Sequence, residues 1–156
     1  GAFISDPNLQ GFFDKETGFE SRESWNELPD WWRERVMSVR NQTKKILAKA
    51  LKRGVKFALG TDSNHARLWR EALHFVNQLG ATEIEAIQAV TLNPAEALGV
   101  SDEFGTIEKG KVADMIAISG NPLEDIQNLK NVEQVMQGGK VIDDEVINFA
   151  RYCYPE

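Results

Sequence analysis

One aspartate stands where a βα fold places its reacting groups. Asp62 ends the sequence Gly60-Thr61-Asp62, which follows a run of alternating residues at 55–59. In folds built from repeated βα units, functional side chains lie where a strand ends and the next loop begins. A carboxylate there can ligate a divalent metal or take a proton from metal-bound water. The alternative is that Asp62 caps the next helix, as aspartate does well. Spacing alone favours neither interpretation.

The chain offers few other reactive groups, since it has two histidines and one cysteine. His65 follows Asp62 by three residues. Its functional interpretation is a contact with substrate or support for the site, and the alternative is a surface histidine where a helix starts. His74 falls in the middle of that helix, where a packing or surface role is favoured. Cys153 has no neighbouring base in sequence, so we do not expect a catalytic thiol.

A helix, a strand and a second helix surround Asp62. Apolar residues at helical spacing predict a helix over 31–53, which stops at Gly54. The alternating residues 55–59 predict a strand. A second helix is predicted over 65–79. Together these elements indicate part of a βα-repeating fold.

The chain before the first helix is predicted to be mostly loop. A short strand candidate at 2–4 precedes a polar stretch that runs to about residue 30. Loops of that length in compact domains are often functional. Trp25, Trp31 and Trp32 lie near its junction with the helix, where we favour packing anchors over a substrate pocket.

The sequence after Gly80 carries strong local signals. Thr82 and Glu85 have the spacing of a capping box. Asn93 is expected to cap a further short helix that has Pro94 in its first turn and ends at Gly99.

The character of the chain changes to β-rich near residue 105. Residues 112–118 read as a strand, and apolar pairs flank Gly138-Gly139 as in a two-residue hairpin. We therefore expect one domain over 1–104 and a β-rich segment over 105–156.

Charge does not indicate a nucleic-acid partner. Between Arg33 and Lys56 there are nine basic residues and one acid. The apolar residues Val39 and Ile46 recur at helical spacing within this stretch, so we interpret it as an amphipathic helix with a solvated basic face. No aromatic side chain interleaves to stack on bases. The net charge of −6 supports the same conclusion.

Composition indicates an ordinary globular protein. Hydrophobic residues make up 42% of the 156 residues and charged residues 27%. No apolar run reaches the roughly 18 residues that a membrane span needs. A single cysteine, Cys153, excludes an intrachain disulfide and is compatible with a reducing compartment. We expect a cytoplasmic protein without a membrane partner.

From Gly54 to Ile142 the chain resembles the C-terminal part of the amidohydrolase superfamily, especially imidazolonepropionase-like and prolidase-like members. Four stretches in the same order carry the resemblance: Gly54 to Ser63, Ala89 to Ala95, Gly105 to Asp114, and Gly120 to Ile126. In the family, the aspartate after the eighth barrel strand is a metal ligand and proton acceptor, which here is Asp62. The resemblance also implies substrate-binding roles for Ser63 and His65, although the family's histidine-glycine pair is here His65-Ala66. The implied cofactor is a divalent metal, expected to be zinc, with one or two ions in the complete enzyme.

The resemblance also shows what the chain lacks. Family members take further ligands from a His-x-His pair and from other strands, and this sequence contains no His-x-His. A (β/α)₈ barrel needs about 250 residues. The expected fold class is therefore α/β, with the last two βα units of a (β/α)₈ TIM-like barrel followed by part of a small β-sandwich. We expect a fragment that carries one metal ligand and is inactive by itself.

The activity that the resemblance implies is metal-dependent hydrolysis of amide, peptide or cyclic C–N bonds, with dipeptidases among the types implied. The alternative is a non-catalytic binding or structural module that lacks the upstream ligands. The expected partners are a small-molecule amide or peptide substrate, and either a homo-oligomer or the remainder of the same barrel. That remainder would cover the open edges of the strand at 55–59.

Overall fold

The computed structural model describes residues 28–61 and 68–142. Predictions for residues 2–4, for most of the polar stretch, for Trp25 and for Cys153 lie outside these residues. The chain divides into two compact units between Ala50 and Leu51. The expected boundary between 104 and 105 remains a prediction.

The first unit contributes one described element, helix α1 (Asp30–Lys52), which confirms the helix predicted over 31–53. The prediction of its buried face is wrong in part. Val39 and Ile46 are 53% and 66% exposed, whereas Arg40 from the basic run is only 6% exposed. Trp31, expected to be a packing anchor, is also exposed. Because α1 is the only helix or strand in the described part of this unit, no second element there covers its apolar residues.

Three helices in the second unit pack around small side chains. They are α2 (Leu68–Leu79), α3 (Glu83–Val90) and α4 (Leu92–Leu98). Alanines supply much of the buried core, which lets the helices approach closely. The buried apolar residues are Ala72, Leu73, Phe75, Leu79, Ala81, Ala86, Ala89, Ala95 and Ile126. Ile126 belongs to a 3₁₀ helix (Ile126–Lys130) that contacts α2.

The ends of these helices follow the local signals in the sequence. Gly54, Gly80 and Gly99 all have positive φ angles and lie at the predicted helix ends. The capping box is confirmed: the Thr82 hydroxyl oxygen accepts a hydrogen bond from the Glu85 amide at 3.4 Å, and the Glu85 carboxylate accepts one from the Thr82 amide. The carboxylate accepts from both the amide and the hydroxyl of Thr82, each at 2.8 Å. These bonds lower the pKa of Glu85. The helix limits here are thus set by residues adjacent in sequence.

The prediction for Asn93 is wrong. Helix α4 begins two residues earlier than predicted, at Leu92, and its N-cap is Thr91. The Thr91 hydroxyl makes no capping bond and instead donates to the Ile87 carbonyl at 2.7 Å. Asn93 is therefore inside the helix, and its side chain is available for another contact.

The β-rich part forms one antiparallel sheet of three strands in the order β1 (Met115–Ile118), β2 (Val132–Gln137) and β3 (Lys140–Val141). The predicted hairpin is confirmed: Gly138 and Gly139 have φ angles of 55° and 77°, as a type I′ turn requires. The Asp114 carboxylate accepts a hydrogen bond from the Gly138 amide at 2.6 Å and so fixes the turn. A second sheet that would make a sandwich is not present among the described residues.

The strand predicted over 55–59 is not formed among the described residues, where 55–60 belong to neither a helix nor a strand. A strand is defined by a ladder of hydrogen bonds to a neighbouring strand. Here the Leu59 amide donates to the Ala89 carbonyl, which belongs to a helix. The described fold is mixed α/β with a small sheet. The barrel units of our prediction remain an expectation.

None of the helices in the described ranges combines the length and the apolar character that crossing a bilayer requires.

Candidate functional site

Residues 55–61, here named the site segment, lead directly to Asp62 and are held by α3 and α4. The Lys56 ammonium lies 2.6 Å from the Glu96 carboxylate of α4. The Phe57 carbonyl accepts a hydrogen bond from the Asn93 side-chain amide at 2.8 Å. The Leu59 amide donates to the Ala89 carbonyl, also at 2.8 Å. These three contacts anchor the segment where a strand ladder is absent from the described residues.

An aromatic contact anchors the same segment to α2. The ring centroids of Phe57 and Phe75 are 5.2 Å apart, and the ring planes are tilted by 55°. Phe75 is buried and Phe57 is partly buried. Such pairs stabilise by about 0.5–1.5 kcal/mol beyond the area they bury. The segment is therefore attached to the helices by packing as well as by hydrogen bonds.

Residues 89–96, named here the α3–α4 corner, also receive the chain that leads into the sheet. Gly105 has a φ of 95°, and a Cβ atom there would lie 2.8 Å from the Ala95 Cβ. The same atom would lie 3.1 Å from the Leu92 Cα. Only glycine fits this approach without displacement of its neighbours. The α3–α4 corner thus contacts the site segment and is also closely approached by Gly105.

Lys111 fixes the loop between this glycine and the sheet. Its ammonium donates to the Ser101 carbonyl at 2.8 Å and to the Thr106 hydroxyl at 2.5 Å. The Thr106 hydroxyl donates in turn to Glu108 at 2.6 Å, and this bond, together with the Lys111 charge, lowers the pKa of the Glu108 carboxyl. Lys111 thereby has a structural role in the third resembling stretch.

The fourth resembling stretch builds a turn before the 3₁₀ helix. The Asn121 side chain accepts from the Leu123 amide at 3.0 Å, and the Asn128 side chain donates to the Asn121 carbonyl at 3.0 Å. A Cβ at Gly120 would lie 2.7 Å from the Asn128 side chain. This stretch, too, encodes local geometry.

Three of the predicted site residues, Asp62, Ser63 and His65, lie outside the described residues. Thr61, the last described residue before them, is partly buried. Their roles therefore stay predictions.

The structure supports the packing role of His74. The residue is buried on α2, and its Nδ1 atom lies 2.8 Å from the Arg70 carbonyl oxygen. Because a carbonyl only accepts hydrogen bonds, Nδ1 carries the proton. That nitrogen is consequently not a metal ligand in this arrangement.

The amidohydrolase resemblance implies a metal, and we compared the donor groups with that requirement. Within residues 28–61 and 68–142, no three histidine, cysteine, aspartate or glutamate side chains lie close enough together to hold a metal ion. A zinc site takes three or four protein ligands. The described residues therefore do not form the site by themselves, and we derive no reaction step through a metal from them.

Glu71 is a residue that sequence reasoning missed. It lies in the first turn of α2, and burial raises the pKa of its carboxyl, although the nearby His74 opposes the change. The helical pattern gave no signal, because Glu71 adjoins the apolar positions without being one of them.

We expect Glu71→Gln to stabilise the protein at neutral pH. A carboxyl group whose pKa is raised by folding stabilises the folded state, and this contribution is complete below the pKa of the group in the unfolded chain. It is lost as the pH rises through the pKa of the group in the folded protein. At pH 7 the charged Glu71 carboxylate therefore lowers the free energy of unfolding, and the neutral glutamine side chain should raise it again. Because the group is only half-buried, we expect a rise in Tm of about 2–4 °C, or roughly 1 kcal/mol.

Thermal melts at pH 7 and pH 4 test this expectation. The gain should disappear near pH 4, and the exposed Glu133→Gln should show no gain at either pH. A Tm increase of equal size at both pH values would contradict the role assigned to burial.

The sequence matches the Amidohydrolase family over residues 34–142. It is 41% identical over 97 residues to ochratoxinase from Aspergillus niger, covering 59% of this chain and 20% of that protein. It is 43% identical over 77 residues to imidazolonepropionase from Sphingopyxis alaskensis, covering 46% of this chain and 19% of that protein. The chain thus spans about a fifth of the length of these relatives.

Solved structures agree with the sequence matches. The fold resembles that of a Xaa-Pro dipeptidase crystallised with methionine in its active site. The TM-score is 0.67 and the identity 34%, over 87% of this chain and 33% of the other. The A. niger ochratoxinase structure gives the same TM-score with 29% identity, over 88% of this chain and 35% of that one. These matches confirm the resemblance inferred from the four stretches: the chain belongs to the amidohydrolase family.

Proposed function

We propose that this chain carries the last carboxylate of the active site in a metal-dependent hydrolase of amide, peptide or cyclic C–N bonds. The observation that supports the proposal most is the anchoring of the site segment. The Lys56 ammonium, the Phe57 carbonyl and the Leu59 amide each bond to α3 or α4. All three residues lie within six positions of Asp62 in the sequence. A catalytic group needs to be held to within a fraction of an ångström, and these contacts constrain the residues that precede Asp62.

In this proposal Asp62 is a metal ligand and accepts the proton of the attacking water, which it passes to the leaving amine. Ser63 and His65 contact the substrate. Asp62 would be one of the residues that hold a divalent metal, which we propose to be zinc, and such a metal when bound would lower the pKa of water toward about 7. Its further ligands would come from other strands of the barrel, as the resemblance implies.

The substrate class is proposed from the relatives' names. The names used are those of ochratoxinase, imidazolonepropionase, Xaa-Pro dipeptidase and adenine deaminase 1 of Carboxydothermus hydrogenoformans, to which this chain is 40% identical over 80 residues. We propose a small amide or peptide substrate, and the remainder of the same barrel or a second copy as the protein partner, in the cytoplasm.

The test is an assay of the full-length protein encoded by the gene. The panel is Met-Pro, ochratoxin A, imidazolonepropionate and adenine, with product release followed by liquid chromatography. We expect hydrolysis of at least one compound, its loss after dialysis against a chelator, and its return when zinc is added. The 156-residue chain alone should be inactive. A full-length protein that hydrolyses none of the four would favour the non-catalytic module instead.

A further inference from the structure

Helix α1 carries a stripe of exposed side chains that mixes apolar and basic groups. Val39 and Ile46 lie two turns apart on it and are 53% and 66% exposed. Exposed apolar surface bordered by polar groups is typical of an interaction site. The members follow one another at intervals of three or four residues, so they share one side of the helix. This α1 stripe consists of Trp31, Arg35, Val39, Gln42, Ile46 and Lys49, all exposed.

The two basic members of the stripe have no ion-pair partner within the described part of the chain. Arg33 on the same helix pairs with Asp30, whereas Arg35 and Lys49 make no such contact there. They belong to a stretch that has nine basic residues and one acid. A partner that covers the stripe therefore needs apolar side chains together with acidic ones.

Residues 98–107, here named the acidic segment, have this complementary composition. Leu98 and Ile107 are 77% and 85% exposed, the highest values for large apolar side chains among the described residues. The charged residues of the segment are Asp102 and Glu103. Both are exposed, and neither carboxylate has a bonding partner within residues 28–61 and 68–142.

The backbone of the acidic segment is fixed by contacts with the residues that follow it. The Lys111 ammonium donates to the Ser101 carbonyl and to the Thr106 hydroxyl. The Glu103 carbonyl accepts a hydrogen bond from the Val112 amide at 2.9 Å. A surface that is ordered before binding loses less conformational entropy when a partner docks. The segment is therefore suited to act as a binding surface.

We propose that the α1 stripe of one copy of the protein docks on the acidic segment of a second copy. Apolar side chains meet at the centre of this contact, and the two basic side chains of the stripe face the two carboxylates of the segment. Each copy carries both surfaces, so two copies related by a twofold axis make the contact twice.

Charge complementarity is the reason for choosing a second copy. Outside residues 33–56 acidic residues outnumber basic ones, and the whole chain carries −6, so a second copy attracts the stripe electrostatically. This choice deepens the proposed function, on which it rests for the role of a protein partner. It involves no step at Asp62.

The test measures self-association of the full-length protein by sedimentation equilibrium, with charges reversed on either surface or on both. Arg35→Glu with Lys49→Glu reverses the stripe, and Asp102→Lys with Glu103→Lys reverses the segment. We expect each pair to raise the dimer Kd at least about tenfold. The four substitutions together restore opposite charges across the contact, so Kd should return to within about threefold of its original value.

Lys130→Glu with Lys140→Glu is the matched control. It changes the net charge as much as reversal of the stripe does, at exposed residues that belong to neither surface. It should leave Kd within about twofold. All substituted side chains are exposed, so Tm should stay within a few degrees in every variant. Recovery of the dimer with four substitutions requires that both pairs allow folding.

A protein that stays monomeric up to about 100 µM would overturn the proposal, because other parts of the protein would then cover these surfaces. A dimer that neither pair weakens would overturn it, and so would one that the four substitutions fail to restore or that the control weakens equally. Hydrolysis of the panel compounds by the same samples reports on the proposed function separately. An inactive protein that dimerises as described would refute the hydrolase and leave the interface standing.

Discussion

Replacing Asp62 with alanine in the full-length protein should lower kcat by about a thousandfold or more, with Tm changed by only a few degrees. The expected loss is large because the residue is proposed to act both as a ligand and as a proton carrier, and removal of such groups costs several orders of magnitude. The effect on folding should be small, because the anchoring contacts involve Lys56, Phe57 and Leu59.

Asp125→Ala is the matched control for this variant. Asp125 caps the 3₁₀ helix by accepting a hydrogen bond from the Gln127 amide at 2.9 Å, and it is exposed. Its loss should reduce stability by about 1 kcal/mol without an effect on kcat. If Asp62→Ala behaves in the same way as this control, Asp62 is a helix cap and not a reacting group.

The second large effect is expected at Gly105. In Gly105→Ala the new methyl group would lie 2.8 Å from the Ala95 Cβ and 3.1 Å from the Thr91 carbonyl oxygen, at a φ of 95°. Backbone strain of roughly 1–3 kcal/mol adds to an overpacking cost of roughly 1–3 kcal/mol. We expect a loss of about 2–6 kcal/mol in the free energy of unfolding, measured by urea denaturation.

Gly110→Ala separates the two contributions. Gly110 has a φ of 96°, but a Cβ there meets nothing within 4 Å. This variant should therefore lose only the strain contribution. Equal losses for the two variants would show that the approach of Gly105 to the α3–α4 corner does not limit stability.

The parts of the fold that the sequence predicted well are those set by neighbouring residues. The capping box at Thr82 and the turn at Gly138-Gly139 each involve residues no more than three positions apart, so their patterns identify them. The helix ends at Gly80 and Gly99 follow for the same reason. Family membership followed from the order of several such local patterns.

The features that escaped prediction depend on distant residues. The strand at 55–59 alternates correctly, but a strand also needs a neighbour, and its described contacts are with helices. Asn93 reads as a cap because its partner Phe57 is far away in sequence. Burial of Arg40 could not be read from the helical pattern, which placed it on the solvated side.

The close approach of Gly105 to Ala95 also restricts how this chain can be recombined with its relatives. A chimaera joined between residues 104 and 105 would take the two sides of this approach, in which a Cβ added to Gly105 would lie 2.8 Å from the Ala95 Cβ, from different parents. A join placed before Ala89 would take the α3–α4 corner and Gly105 from the same parent. The site segment, to which Asn93 is hydrogen-bonded, would then come from the other parent. Chimaeras should therefore fold most often when residues 55–105 are transferred as one block.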